Sequence, residues 1–327
     1  MTVAQDQLTS ERRGPIITDT QWRDLLERRA TDPGAVASAY AARRRPGQFV
    51  SERGTLFLVA ADHPARGSLA SGGDAMAMAD RRSLLARLVE ALHHPDVDGV
   101  LGTPDIIEEL LLLGSLEDKV VIGSMNRGGL DGALWTMDDR FTGYDASSIA
   151  ACGLEGGKML LRLDDTHSGT ARTIEGCANA VSELAAQGLL AMVEPLPYAP
   201  DGDGVLTLQR DAASLLRAIT VASALGRTSA YTWLKLPACD DPAVVFSATT
   251  LPCVVLGGVP GPDPEHDLAS WSLALRQPAV RGLVVGRALL YPPGGDVAAA
   301  VDAAARALRV ASGRAPEHAH EQEAVAP

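Results

Sequence analysis

Eight short apolar segments, each followed by a helical pattern, constrain the fold of this chain more than any other feature. Strand-like runs that alternate with amphipathic helices are typical of parallel βα units. Several runs are apolar almost throughout, which indicates strands covered on both faces. Eight such units favour a closed (β/α)8 TIM barrel over an open doubly wound sheet. We predict the strands at residues 54–62, 99–103, 119–126, 157–164, 189–198, 232–237, 253–258 and 282–289.

The remaining sequence fits a single α/β domain built on this barrel. Helical patterns before the first strand indicate an N-terminal helical extension. We predict one domain at 19–311, with the helical lead-in at 19–45, between flexible polar tails at 1–18 and 312–327. No G-x-G-x-x-G follows the first strand, which disfavours a dinucleotide-binding sheet. The helices after the strands are predicted at 75–93, 104–113, 144–152, 170–186, 210–224, 242–248, 265–276 and 297–310.

Charge and cysteine positions argue against several classes of protein. A net charge of −12 disfavours a nucleic-acid partner, because such proteins present a basic surface to phosphates. The sequence shows no basic-then-apolar leader and no apolar run of about 18 residues, so we predict neither a signal peptide nor a membrane span. The four cysteines are scattered without C-x-x-C spacing, which indicates neither a disulfide framework nor a zinc site. We therefore predict a cytoplasmic protein.

Lysine is scarce in this sequence, and one lysine lies in the middle of an apolar run. The 29 basic residues comprise 26 arginines and three lysines, Lys119, Lys158 and Lys235. Where arginine supplies most of the positive charge, a retained lysine suggests a need for a primary amine. Such an amine can lose its proton in an apolar site and attack a carbonyl, whereas a guanidinium stays protonated. Lys235 is the first candidate for a Schiff-base nucleophile; the alternative is a strand lysine that extends to solvent.

Polar residues follow or end most of the predicted strands. In a barrel of this kind, the chemistry gathers at the carboxyl ends of the strands. Each residue alone has an ordinary explanation, such as a helix cap or a tight turn. Together they supply two amines, two carboxylates and a phosphate site from separate strands. These residues are Asp62, His63, Asn126, Arg127, Lys158, Arg162, Glu194, Lys235, Gly257, Gly258, Gly286 and Arg287.

The phosphate site is predicted after strands seven and eight. Loops at this place in such barrels commonly bind phosphate through backbone N–H groups, which glycine allows to approach closely. Gly257 and Gly258 follow one strand, and Gly286 follows the other. Arg287 would add a charge-assisted contact.

Several motifs resemble those of known enzymes. Gly-Gly-Lys-Met at Lys158, Val-Glu-Pro at Glu194, Trp-Leu-Lys-Leu-Pro at Lys235 and the two glycine loops resemble the class I aldolases of the tagatose-bisphosphate and sulfofructose-phosphate type. The likeness covers roughly residues 54–310. The opening Ala-Ala-Asp-His-Pro resembles the archaeal-type fructose-bisphosphate and deoxyribose-phosphate aldolases, and a further resemblance is to aldolases of actinobacterial myo-inositol catabolism. The 127–141 loop and the Gly-Gly-Val-Pro turn depart from the better-known members.

The resemblance implies a mechanism without a metal or cofactor. Lys235 would form the imine, with its pKa lowered by apolar neighbours and by Lys158. Glu194 would be the acid/base of carbinolamine dehydration, and Asp62 the base of carbon–carbon cleavage. His63, Asn126, Arg127 and Arg162 are predicted to bind substrate.

The inositol-pathway resemblance favours 2-deoxy-5-keto-6-phosphogluconate as the substrate, cleaved to dihydroxyacetone phosphate and malonate semialdehyde. Arg127, Arg140 or Arg162 could bind its carboxylate. Tagatose or fructose bisphosphate, sulfofructose phosphate and deoxyribose phosphate are the alternatives. Because barrels of this kind are often homo-oligomers, we also predict a homo-oligomer.

Two other functions remain open at the level of sequence. A metal-dependent lyase or isomerase could use His63 with Asp62, or His167 with Asp164 and Asp165, as ligands. A protein that binds a sugar phosphate without chemistry would keep the phosphate loops but would have no need of the lysine and glutamate. The barrel alone does not distinguish these functions.

Overall fold

The structure, a computed structural model, describes residues 17–258, 260–261 and 263–313. All the strands in this part of the chain except β6 form one closed parallel barrel, because β1 pairs with both β2 and β9, and β4 pairs with both β3 and β5. The predicted TIM barrel is confirmed. Its strands are β1 (Leu56–Ala60), β2 (Gly99–Gly102), β3 (Val120–Ser124), β4 (Gly156–Leu163), β5 (Leu190–Pro200), β6 (Leu206–Leu208), β7 (Thr232–Pro237), β8 (Cys253–Leu256) and β9 (Val280–Val285).

Helices surround the barrel, and α1 and α2 precede it as the predicted N-terminal extension. A short 3-10 turn at Pro64–Arg66 follows β1. In the described residues, no helix is both long and apolar enough to cross a membrane. The α-helices are α1 (Asp19–Thr31), α2 (Gly34–Ala42), α3 (Arg81–Leu92), α4 (Pro104–Leu112), α5 (Ala146–Ala151), α6 (Gly169–Ala186), α7 (Ala212–Ser223), α8 (Pro242–Phe246), α9 (Pro264–Ala274), α10 (Arg287–Leu290) and α11 (Val297–Ser312).

Several helices begin where an aspartate caps the first turn. The side chain accepts a hydrogen bond from a backbone N–H that has no partner within the helix. The helix starts predicted from the amphipathic pattern lie within two residues of the observed ones, except that α3 begins six residues later than predicted. The capping residues are Asp80, Asp145, Asp211, Asp241, Asp263 and Asp296.

Two elements differ from the prediction. Strand β6 was not predicted; it pairs antiparallel with the end of β5, Tyr198 opposite Leu208, and forms a hairpin above the barrel. The last strand was predicted to continue to residue 289, but it ends at Val285 and the chain turns at Gly286 into α10. Apolar residues continue from β9 into α10, so hydrophobicity alone did not separate strand from helix in that stretch.

The barrel interior is apolar in its lower half. Inward side chains from several strands form one buried cluster, because alternate residues of each strand face the barrel axis. The segment before β1 closes the bottom of this cluster: Phe49 and Val50 pack against it, and the Phe49 ring meets the Trp233 ring edge-on at 5.5 Å. The polar residues therefore occupy only the upper half, at the carboxyl ends of the strands.

A buried ion pair attaches the N-terminal extension to the base of the barrel. Arg43, just after α2, donates to the Glu155 carboxylate at 2.9 Å and to the carbonyl oxygens of Lys119 and Gly153. Glu155 also accepts from the N–H of Val121 on β3 at 2.8 Å. The predicted tails at 1–18 and 312–327 lie outside the described residues, except for 17, 18, 312 and 313.

We expect Glu155→Gln to lower the free energy of unfolding by about 3–5 kcal/mol, because it leaves the Arg43 charge buried without its partner. The Arg43 and Glu155 side chains are only 1% and 8% exposed. Asp118→Asn is the matched control, since it breaks the exposed pair between Arg44 and Asp118, whose side chains are 66% and 57% exposed, and should change stability little. Urea unfolding of both variants checks this, and equal effects would contradict it.

Candidate active site

The polar residues of the barrel interior lie directly above its apolar layer. Side chains two positions apart on a strand share a face, so a polar residue two positions after an inward apolar residue also faces the axis. Lys158 on β4 lies in the same layer of the barrel as these polar residues, because it pairs in register with Ser124 of β3. Three buried groups follow this rule: Asp62 after Ala60, Glu194 after Met192, and Lys235 after Trp233.

Glu194 joins the two buried lysines. Its Oε1 accepts a hydrogen bond from Lys235 Nζ at 2.7 Å, and its Oε2 contacts Lys158 Nζ. These three side chains come from neighbouring strands, because β5 lies between β4 and β7 in the barrel. The structure thus brings together both amines and the carboxylate that the sequence predicted for the catalytic site.

Asp62 completes the buried cluster on the β1 side. Its Oδ2 accepts from Lys158 Nζ at 3.2 Å and from Ser124 Oγ at 3.1 Å, and it contacts the Arg127 guanidinium. Arg127 also donates to Ser124 Oγ at 3.0 Å. The other oxygen, Oδ1, has no hydrogen-bond partner among the described residues; His63 Nδ1 is 3.9 Å away.

Burial and charge shift the pKa values in this cluster. Burial lowers the pKa of Lys158 well below its ordinary value, with a further decrease from Arg127. Burial also lowers the pKa of Lys235, although Glu194 opposes that decrease. For Glu194 burial favours the neutral acid, but Lys158, Lys235 and Arg127 outweigh burial and hold the pKa of the carboxyl below its usual range. Two carboxylates, Asp62 and Glu194, therefore face the three basic side chains of Lys158, Lys235 and Arg127. This excess of positive charge favours the neutral form of one lysine amine.

A cavity of about 790 Å³ opens above this cluster. Lys235 and Glu194 line it, whereas Lys158 lies beneath them and is fully buried. Of the two amines close to Glu194, Lys235 is therefore the one that a ligand in the cavity can reach. Both amines contact Glu194, so access to the cavity is what distinguishes Lys235 from Lys158.

The predicted phosphate residues line the same cavity at the carboxyl ends of β8 and β9. A side chain at Gly257 would overlap Val285, and a Cβ at Gly286 would lie 2.5 Å from the carbonyl oxygen of Ala60. Gly258 has a φ of 68°, a conformation that glycine adopts most easily. Arg287 lines the cavity beside these glycines, and its Nε is buried without a partner among the described residues.

The predicted substrate-binding residues occupy different positions. His63 lines the cavity, and burial, together with Arg287 and Lys235, lowers its pKa well below the ordinary value. Arg127 and Arg162 also line it. Asn126 does not line the cavity. Its side-chain amide donates to the Leu160 carbonyl oxygen at 2.6 Å and accepts from the Leu160 N–H at 2.7 Å, and so joins the end of β3 to β4.

Four residues at the site were missed in the sequence. Ser124 could have been found, since it stands two positions after the inward Ile122 on β3. Arg66 follows the Asp-His-Pro motif by three residues, but nothing local indicates that its side chain turns into the cavity. Tyr198 lies in the unpredicted hairpin, opposite Leu208, and Arg210 follows Leu208 by two residues. All of them except Ser124 line the cavity.

The residues proposed as alternative metal ligands are separated or otherwise engaged. In the described ranges, no three His, Cys, Asp or Glu side chains are grouped so that they could hold a metal ion. Asp164 accepts hydrogen bonds from Thr166, and His167 Nδ1 accepts from the N–H of Gly169. Asp62 is taken up by the cationic cluster described above.

Comparison with known proteins gives a family and a fold. The model of the Cgl0159-like family matches residues 54–305. A crystal structure of Cgl0159 from Corynebacterium glutamicum is 47% identical, covers 91% of this chain and 99% of its own, and superposes with a TM-score of 0.88. No curated protein matches the chain.

More distant structures share the barrel. A Schiff-base-forming fructose-1,6-bisphosphate aldolase is 16% identical over 84% of this chain and 99% of its own, with a TM-score of 0.59. An archaeal fructose-1,6-bisphosphate aldolase, whose catalytic lysine is bound to a carbinolamine intermediate, is 16% identical over 85% and 100%, with the same TM-score. At these identities the similarity is one of fold.

We expect Glu194→Gln to lower the pKa of Lys235 further, because Glu194 is the neighbour that raises it. The pH dependence of Lys235 acetylation, followed by mass spectrometry, should then move to lower pH. Lys119 is the internal reference: its Nζ donates to the Val97 carbonyl at 2.6 Å, far from the cavity, and its profile should not move. A Lys235 profile that is unchanged or moves to higher pH would contradict this electrostatic account.

Proposed function

The chain belongs to the Cgl0159-like family, and for this member we propose the activity of a class I aldolase acting on a phosphorylated ketose or keto-acid sugar. The observation that carries the proposal is the pairing of Lys235 with Glu194 at the floor of a large cavity. A buried amine with a lowered pKa, beside a carboxylate, is the arrangement that nucleophilic attack on a carbonyl requires. The shared fold with Schiff-base aldolases supports the proposal.

Imine formation begins at Lys235. Glu194 accepts the proton that the Lys235 ammonium loses, and the free amine attacks the substrate ketone. A proton moves from nitrogen to oxygen in the carbinolamine. Glu194 then returns its proton to that hydroxyl group, which leaves as water, and the protonated imine remains. Lys158 and Arg127 hold Glu194 in its charged form between these steps.

Carbon–carbon cleavage requires a base for the hydroxyl group β to the imine carbon. We assign that proton to Asp62, whose Oδ1 is free of partners within the described structure. Asp62 does not line the cavity, but His63 does, and its Nδ1 is 3.9 Å from Asp62 Oδ1. We assign the relay of this proton to His63, whose Nδ1 has to approach Asp62 Oδ1 to hydrogen-bond distance in the substrate complex.

The electron pair of the broken bond passes into the imine and gives an enamine, while the aldehyde product leaves. Protonation and hydrolysis of the enamine release the ketone product and restore Lys235. Gly257, Gly258 and Gly286 leave room for the phosphate to approach the backbone, and Arg287 supplies a positive charge beside it.

The substrate that we favour is 2-deoxy-5-keto-6-phosphogluconate. It has a phosphate beside its ketone and a carboxylate at the other end, and cleavage gives dihydroxyacetone phosphate and malonate semialdehyde. Tagatose or fructose bisphosphate, sulfofructose phosphate and deoxyribose phosphate are the alternatives. Coupled detection of the triose or aldehyde products over this panel identifies the substrate.

Borohydride reduction in the presence of dihydroxyacetone phosphate should attach the triose phosphate covalently to Lys235. We expect Lys235→Ala to abolish both this adduct and turnover while the barrel stays folded, because no other amine lines the cavity in the described structure. Lys119→Ala is the matched control and should keep both. An adduct that persists on Lys158 in the Lys235 variant would show that Lys235 is not the nucleophile.

Asp62→Asn should separate imine formation from cleavage. Loss of a general base at the cleavage step lowers kcat by about 10²–10⁴-fold, whereas the earlier imine still forms. We therefore expect borohydride to trap the intact sugar phosphate on Lys235 in this variant, as detected by mass spectrometry. Normal turnover, or a failure to trap any adduct, would remove Asp62 from the assigned role.

A further inference from the structure

Five arginines line the cavity, and they differ in how they are bonded. Two of them are held by carboxylates: Arg127 contacts Asp62, and Arg162 donates to both oxygens of Asp139 at 2.8 Å each. Those guanidinium groups are committed to the protein itself. The five are Arg66, Arg127, Arg162, Arg210 and Arg287.

Arg66 is fixed in place but has free donors. Its Nε donates to the carbonyl oxygen of Gly129 at 2.8 Å, and its own carbonyl accepts from the N–H of Asp131 at 2.8 Å. Within the described residues, its two terminal nitrogens have no hydrogen-bond partner, and no carboxylate oxygen lies within 4.0 Å of them. Burial, and next the nearby Arg162, lower the pKa of Arg66, and the charge of Asp139 offsets only part of that decrease.

The Arg66 side chain bonds the loop after β3, although its backbone follows β1, the neighbour of β9. Its guanidinium reaches the loop after β3, where Gly129 lies, and the neighbouring Arg162 of β4 stacks on the Tyr198 ring of β5 at 5.8 Å. Gly257 and Gly286 follow β8 and β9. In the order of strands around the barrel, β3 and β4 stand opposite β8 and β9, with Lys235 of β7 between the two sides.

We propose that Arg66, with the Tyr198 hydroxyl beside it, binds a second anionic group of the substrate, at the end that leaves as the aldehyde. The inference rests on the proposed aldolase function. Two free N–H groups of one guanidinium match the two oxygens of a carboxylate or of a phosphate. Burial raises the pKa of Tyr198, so its hydroxyl stays neutral and can donate as well.

This assignment replaces the arginines that the sequence suggested for a substrate carboxylate. Arg127 and Arg162 are paired with Asp62 and Asp139, and Arg140 is exposed, pairs with Asp138 at 3.0 Å and does not line the cavity. Arg66 was not among them. Its position depends on the contact between the turn after β1 and the loop after β3, which the sequence does not show.

Aldol condensation with different acceptors tests the proposal. Dihydroxyacetone phosphate is the donor, and the acceptors are malonate semialdehyde, glyceraldehyde 3-phosphate and uncharged glyceraldehyde. We expect the wild-type protein to prefer one charged acceptor over glyceraldehyde by about tenfold or more in kcat/KM, and Arg66→Gln to lose most of that preference. The preferred acceptor shows whether the second anion is a carboxylate or a phosphate.

Matched measurements show whether the effect belongs to the aldehyde end. Arg66→Gln should change the dihydroxyacetone phosphate concentration for half-maximal borohydride trapping by less than about twofold, and should leave the rate with glyceraldehyde similarly unchanged. Arg66→Lys should keep part of the preference, because it retains the charge but loses the fork of donors. Arg140→Gln should behave as the wild type.

Three results would overturn the assignment of Arg66: no preference for either charged acceptor in the wild type, a preference that survives Arg66→Gln, or an equal loss of donor trapping in that variant. The last would place Arg66 at the phosphate instead. Failure of the wild type to form any adduct with dihydroxyacetone phosphate would overturn an aldolase function with that donor and this inference together. That outcome is distinguished by the absence of adduct before any substitution.

Discussion

The arrangement of the barrel interior depends on one buried carboxylate shared by two buried lysines. Glu194 contacts both Lys158 and Lys235, and Lys158 also contacts Asp62. Removal of one partner from such a group leaves an uncompensated charge in a low-dielectric interior, which is strongly unfavourable. With Arg127 the cluster holds three basic side chains against two carboxylates, so its charges balance only if one lysine amine loses its proton. The electrostatic balance that keeps this cluster stable is thus the same one that makes an amine nucleophilic.

The fold maintains this cluster from below and opens it from above. Apolar side chains fill the lower barrel beneath the lysines, and Phe49 packs against them at that end. Arg43 and Glu155 hold the N-terminal extension beneath. At the upper end, glycines after β8 and β9 leave space that side chains would fill. The parallel barrel directs the carboxyl ends of its strands towards this opening.

Local patterns in the sequence were enough to predict the barrel and much of the site. The apolar runs located its strands, lysine scarcity singled out Lys235, and the resemblance to aldolases implied roles for Glu194 and Asp62. What the sequence did not show depends on contacts between distant segments. The loops that meet above the barrel determine how Asn126 bonds Leu160 and where the Arg66 and Arg127 side chains lie. The β5–β6 hairpin was missed for the same reason, because the pairing of its two strands stabilises it and its amino-acid composition does not indicate it.

The most direct test of the electrostatic claim uses the rarity of lysine in this chain. With ¹³C-labelled lysine, the NMR spectrum contains one set of signals for each of the three residues, and each can be followed through a pH titration. The account predicts that Lys158 and Lys235 titrate below the value of about 10.4 for a free lysine. If both lysines stay protonated at and above that pH, the cluster holds no neutral amine and the account is contradicted.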